Sequence, residues 1–440
     1  MDCRSGVIAA ICLLVTFLTG STIRTLGLFY VTFLDHFNWS RQQVVWPVCV
    51  VTALLNFGGL VHAILKSRIS CSSLALLASI GHAFGVLSAY FVDTVPSMVF
   101  TFGVCTGLGA GVVFIAVGAF IKDYFDDRMQ NAVQSANIVA FCMAGCIFPK
   151  LLLSARTAYG YDGFILVEGA LLSVVPVLCC FLKFCSRKRT PQQRPLSTVS
   201  TITTSHEVST AEKPHRPQYT SIFRAPMFYL VTASNAVFIY TLTLFMSSLI
   251  DVSFDKGVTP TYAITIIPIY SVTDIVGRVV VPAILPTKQH RRIIFAVDYL
   301  VIGTVLLLVP LTYDYVTLLF TCLSMGVFNG SVIALQSVLV ADYVHKDLQH
   351  FANIFINILT GCSFLTKPFV AGVFRDVLGS YDPMQQMLGS LVLLSGVAWV
   401  GVNCVRITSR RATWTKDKHK PHTHEPTDVS LVRYQLLYGY

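Results

Sequence analysis

Twelve apolar stretches decide what this chain can fold into. Each is close to or above the ~20 residues that a helix needs to cross ~30 Å of hydrocarbon at about 1.5 Å per residue. Six precede a polar segment that begins near Cys185: roughly Gly6 to Leu34, Val44 to Leu65, Ser72 to Val92, Pro96 to Ile121, Met129 to Leu153 and Gly163 to Phe184. Six follow it: Met227 to Ile250, Tyr262 to Leu285, Ile293 to Leu311, Val316 to Tyr343, Phe351 to Phe374 and Met384 to Val405. Hydrocarbon offers no water to the backbone, and a helix satisfies its own N–H and C=O groups. The expected fold is therefore an all-α membrane protein with twelve transmembrane helices in two six-helix halves. Composition agrees, since 54% of residues are hydrophobic and only 12% charged, far from a soluble domain. The first stretch follows a basic start at Arg4, as a secretory leader would, but it runs on without a small-residue cleavage site and is read as a retained helix.

The pattern divides the chain into a first half over residues 1–184, a linker over 185–224, a second half over 225–406 and a tail over 407–440. The linker, "SRKRTPQQRPLSTVSTITTSHEVSTAEKPHRPQYTS", is rich in Ser, Thr, Pro and basic residues and has too little apolar surface to fold alone. Lys and Arg concentrate in the segments that share a side with the N-terminus, leaving Arg41, Lys150, Arg156, Lys256 and Arg375 on the other. By the positive-inside rule both termini and the linker are expected in the cytosol, with the plasma membrane as the expected location. The formal charge of +10 is concentrated where topology requires it, so anionic lipid is the expected partner and nucleic acid is not.

The usual catalytic signatures are missing: there is no GxSxG, HExxH or Walker-type sequence. No enzyme, cofactor or metal site is expected, and any energy source must be a gradient. "GLGAG" at Gly107 to Gly111 falls inside an apolar stretch, which favours close helix packing over phosphate binding. The 13 cysteines lack zinc spacing and outer-loop partners, so most read as small core residues, with Cys179, Cys180 and Cys185 as acylation candidates. His419, His422 and His424 lie in a polar tail that reads as solvated chain. The sequon Asn38-Trp39-Ser40 occupies so short a loop that it reads as a turn.

Charges inside the apolar stretches carry more information. An ionised side chain at the bilayer centre costs ~2.5 to 3.5 kcal/mol even on insertion scales, so it should face a bundle interior or an aqueous cavity. In "SVTDIVGRVVVPAIL" Asp274 and Arg278 stand four residues apart and share a helix face. Asp274 lies about 16 Å from the inner end of its stretch, near midplane. A structural ion pair is the plain reading. Desolvation makes such pairs poor stabilisers, which favours a binding site in which the Arg278 fork receives a carboxylate and Asp274 accepts a proton. Arg24, flanked by Ser21, Thr22 and Thr25, is expected to line an outward vestibule that attracts anions. Lys367, followed by Pro368, is expected to snorkel or pack. Glu168, Asp298, His62 and His82 read as buried packing or hydrogen-bonded groups.

Two six-helix halves joined by a basic loop resemble the major facilitator superfamily, and within it the monocarboxylate transporter family. "DIVGR" at Asp274 to Arg278 is similar to that family's eighth-helix Asp-x-x-x-Arg pair, which implies proton acceptance by the aspartate and carboxylate binding by the arginine. "KDYFDDRMQNAVQSA" resembles the fifth-helix signature through Tyr124, Phe125, Arg128, Ala132 and Ala136. "YGYDGFILVEGALL" resembles the segment opening the sixth helix, and Pro368 falls in the proline-containing stretch of the eleventh. Departures include the opening "DCRSGV", the acidic Asp126 and Asp127, Gln134 and Val139 in place of glycines, and Asp162 in place of an arginine. Arg24 stands where proton-coupled members carry a lysine. An arginine cannot lose its proton, so proton coupling would have to run through Asp274.

The resemblance implies a secondary transporter of lactate-like or pyruvate-like monocarboxylates by alternating access, with protons as co-substrate and a single-span accessory subunit as a candidate partner. Two other readings stay open. One is a proton-independent carrier of aromatic amino acids, thyroid-hormone-like or carnitine-like molecules. The other is a non-transporting metabolite sensor.

Overall fold

The computed structural model describes residues 3–187, 219–284, 288–345 and 348–418. Among them, eleven helices are long and apolar enough to cross a membrane. One of these, within α7 (Asp127–Arg187), is 57 residues long. It is broken at Gly160, whose φ of 68° and ψ of −153° lie outside the helical region, a backbone conformation that glycine adopts without steric cost. The fifth and sixth expected stretches lie on either side of that break, and the number of traverses becomes twelve.

The first traverse is also interrupted. α1 (Cys3–Arg24) and α2 (Leu26–Phe37) meet at Thr25, where φ −110° and ψ 12° leave the helical path. Asn38 ends α2 in the left-handed region, and the Ser40 hydroxyl then caps α3 (Arg41–Leu65) in a reciprocal box with Gln43. Asn38-Trp39-Ser40 is thus a tight helix-to-helix turn. α4 (Cys71–Ser88) leads to α5 (Val95–Met98), which passes through a π-helical stretch, Val99–Thr106, into α6 (Gly107–Tyr124). "GLGAG" packs as expected: a Cβ on Gly111 would lie 2.3 Å from the Leu55 carbonyl oxygen of α3, and one on Gly109 2.6 Å from the His82 nitrogen of α4.

The second half comprises α8 (Pro226–Asp255), α9 (Pro260–Ile284), α10 (Lys288–Leu308), α11 (Tyr315–Tyr343), α12 (Gln349–Phe364), α13 (Lys367–Gly372) and α14 (Asp382–Lys418). α14 runs past the expected span end at Val405. Most of the linker, the end of the tail and its histidines His419, His422 and His424 lie outside the described residues. The last linker residues, Tyr219–Arg224, form a 3-10 turn. Its Ile222 is buried and its Phe223 ring packs on Phe228 and Phe355, so apolar side chains draw this part of the linker onto the bundle.

Buried side chains fall mainly into two clusters, one built from α1 to α7 and one from α8 to α14, with Ile250, Ile264 and Ile267 of the second half joining the first cluster. Large apolar side chains such as Leu77, Phe84, Phe100, Phe320 and Leu394 are exposed instead. A water-soluble surface would not tolerate so many, whereas lipid tails would surround them. Arg4 Nη2 donates to the Cys185 carbonyl at 2.5 Å, which brings the start of α1 to the end of α7 on one face of the bundle, the terminal face. On the opposite, far face, four of the five basic residues set apart in the sequence find aspartates: Arg41 with Asp251, Arg156 with Asp35, Lys256 with Asp382 and Arg375 with Asp255.

Candidate functional site

α9 presents Asp274 and Arg278 one turn apart, as the spacing predicts. Arg278 Nε donates to Asp274 Oδ1 at 3.0 Å. The other carboxylate oxygen is taken by the first half: Arg24 Nη2, at the very end of α1, donates to Asp274 Oδ2 at 2.8 Å. The break at Thr25 ends α1 at this level, so Arg24 crosses to the second half instead of lining an outer vestibule by itself.

α7 completes the cluster. The Cys142 thiol lies 3.5 Å from Asp274 Oδ2 and 3.0 Å from Arg24 Nη2. The Phe141 ring sits 4.5 Å from the Arg24 guanidinium carbon, a cation–π contact that offsets part of the cost of dehydrating the charge. Two glycines allow this closeness. A Cβ on Gly145 would collide with Ser271 Oγ at 2.2 Å, and one on Gly330 of α11 would meet the Asp274 carbonyl oxygen at 2.2 Å. Behind the pair, Asn329 donates to the buried Tyr270 hydroxyl at 3.0 Å.

Unequal use of the two guanidinium groups gives the cluster its chemical potential. Asp274 is 1% exposed, whereas Arg24 and Arg278 keep 13% and 12% of their side-chain surface. Arg278 holds Asp274 through Nε alone, and among the described residues no partner engages its Nη1 or Nη2. Those two nitrogens form the planar fork that matches a carboxylate. Two cations and one anion also leave the cluster with one net positive charge.

Other membrane-embedded ionisable residues are placed differently. Glu168 is fully buried, with the Ser21 and Thr22 hydroxyls each 2.6 Å from its Oε1. Asp298 accepts from Ser331 at 2.5 Å. Lys367 is 4% exposed and donates to Thr243 Oγ1 at 2.5 Å, so it packs and does not snorkel. The fifth-helix signature lies at the junction of α6 and α7: Tyr124 ends α6 and stacks on Phe120, Phe125 is buried, and Ala132 and Ala136 follow on α7, while the Arg128 side chain lies outside the described residues.

On the far face a second polar chain joins the halves. Arg41 Nε and the Tyr381 hydroxyl both donate to Asp251 Oδ2, at 3.0 and 2.9 Å, and Tyr381 meets the Tyr30 hydroxyl at 3.3 Å. Burial, with Tyr30 and Asp251 adding to it, pushes the Tyr381 hydroxyl far above the usual phenol range, which keeps it a proton donor. Sequence reading passed over this latch because Arg41 and Asp251 stand near helix ends, where charges are unremarkable. Cys142 and Phe141 were passed over as ordinary helix residues.

The sequence profile of the Major Facilitator Superfamily matches residues 12–366. The chain belongs to the major facilitator superfamily. This major facilitator is a multi-pass membrane protein of a transporter family, and it is a divergent relative of the monocarboxylate transporters. It is 24% identical to monocarboxylate transporter 2 of Rattus norvegicus over 384 residues, 84% of this chain and 77% of the relative. With monocarboxylate transporter 12 of Xenopus laevis it shares 22% identity, over 88% of this chain and 85% of the relative. With monocarboxylate transporter 4 of Rattus norvegicus it shares 23%, over 97% and 87%. The fold is similar to that of a D-xylose-proton symporter (TM-score 0.63, 12% identity, 90% of this chain and 96% of that one). It is also similar to that of the peptide transporter POT (TM-score 0.69, 10% identity, 90% and 93%).

Proposed function

We propose that this secondary transporter carries small monocarboxylates of the lactate and pyruvate type, with Arg278 as the carboxylate-binding group. The observation that carries this reading is the unengaged fork of Arg278 beside a buried carboxylate that two arginines already share. A single net positive charge suits one carboxylate. The printed names of the relatives support the same cargo class.

Substrate carboxylate at the Nη atoms competes with Asp274 for Arg278 and draws positive charge away from it. Asp274, left with less compensation, becomes the proton acceptor, while Arg24 remains charged and holds its other oxygen. A neutral Asp274 and a paired substrate lower the cost of closing the cavity, and the two halves rock about this level to expose the other side. Both termini face the cytosol in this reading. The pairing of Arg41, Arg156, Lys256 and Arg375 with aspartates supports it, because it offsets the cations that the positive-inside rule disfavours on the far face.

Uptake of radiolabelled lactate and pyruvate by cells expressing the chain, in mildly acidic and in neutral medium, tests the proposal. Uptake should rise in acid and vanish in Arg278→Ala at equal surface amounts. Normal uptake by that variant would refute the assignment, and pH-independent uptake would remove Asp274 from proton transfer.

A further inference from the structure

Lys367 is a buried amine without a counter-ion. Among the described residues no carboxylate pairs with it. Its one hydrogen bond goes to Thr243 Oγ1, whose own proton is directed to the Ile239 carbonyl oxygen. The ammonium lies 3.5 Å from the centre of the Phe364 ring and 5.8 Å from that of Tyr240. Thr243 Oγ1 and the Phe364 ring face are the acceptors that meet this amine among the described residues. By contrast, Arg24 and Arg278 both have Asp274.

The position of Lys367 explains what could supply the missing charge. It belongs to α13, which meets α8 on one side and α3 of the first half on the other. Cys49 of α3 donates to the Phe364 carbonyl at 2.7 Å, and Cys49, Ala53, Phe364 and Tyr240 make a small apolar cluster at that seam. The same helix α3 begins with Arg41, which the far-face latch ties to Asp251. The latch, together with the Gln42 N–H on Asp376 and the Trp46 ring against Phe369, holds the outer end of α3, the helix that closes over the Phe364 and Tyr240 side of the lysine.

We infer that Lys367 is a second anion-binding subsite, uncovered when the far face opens, which receives the cargo carboxylate before it passes to Arg278. The inference rests on the anion-carrier reading above. Thr243 and Tyr240 supply neighbouring hydroxyls, and the aromatic faces hold the ammonium in place between cycles. A purely structural lysine would be replaced by methionine without effect on substrate affinity, because methionine fills a similar volume and keeps the aromatic contact.

The test measures radiolabelled lactate influx and efflux separately in cells expressing wild type, Lys367→Met and Lys367→Arg, with surface protein quantified. Lys367→Met should raise KM about tenfold in one direction only, and Lys367→Arg should restore it to within about twofold. An unchanged KM in Lys367→Met, with wild type transporting, would overturn the subsite and leave the carrier reading intact. Failure of the methionine variant to reach the surface, with Lys367→Arg normal, would assign the amine to folding and overturn the subsite as well. Absence of carboxylate flux in wild type would overturn both.

Discussion

Asp274 carries more of the site than its size implies. It is 1% exposed and is the sole described carboxylate in contact with two guanidinium groups from opposite halves. Removing one member of a buried ion pair leaves the others uncompensated, typically at about 3 to 5 kcal/mol. Asp274→Asn keeps the shape of the side chain but strands both arginines. It should destabilise the detergent-purified protein by about 3 kcal/mol, seen as a lower unfolding temperature. It should also abolish any acid stimulation of uptake, since the amide cannot take a proton. A stable variant with intact pH response would show that the cluster's charge balance lies elsewhere. Arg24 differs in kind. Its Nε is buried without a partner among the described residues and its plane stacks on Phe141, which suits a fixed positive charge more than a mobile ligand.

Helices matter here chiefly through how closely they approach and how they part. α9 lies against α11 at Gly330 and against α7 at Gly145, so the Asp274 level is a rigid meeting point of both halves. The far face is held differently, by hydrogen bonds between hydroxyl, carboxylate and guanidinium groups of α2, α3, α8 and the turn before α14. Bonds of that kind are each worth about 1 kcal/mol, or somewhat more with a charged partner. Tyr381→Phe removes two of them while keeping the ring. It should raise the population with the far face open by about fivefold or more, read as faster reaction of Cys49 with a membrane-impermeant thiol reagent and compared with Cys49→Ser. Unchanged labelling would mean that the latch does not hold the seam.

Across the whole molecule, run length made the traverses legible, because a membrane imposes the same ~30 Å requirement on each helix. The breaks were less legible. Thr25 and Gly160 interrupt helices through backbone dihedrals that no hydropathy pattern records. At the site, the pairing of Asp274 with Arg278 was legible, since four residues on a helix fix their proximity. The contact of Arg24 with Asp274, 250 positions apart, and the part played by Cys142 were not, because only the packing of α1, α7 and α9 creates them. Lys367 illustrates the same limit: its depth was visible in the sequence, but its burial between α8 and α3 was not. The central claim, that the Arg278 fork binds the cargo carboxylate, is tested most directly by calorimetric titration of lactate and pyruvate into purified wild type and Arg278→Lys. Lysine retains the charge and loses the paired donors, so affinity should fall about tenfold or more. Equal affinity in the two proteins would contradict the account.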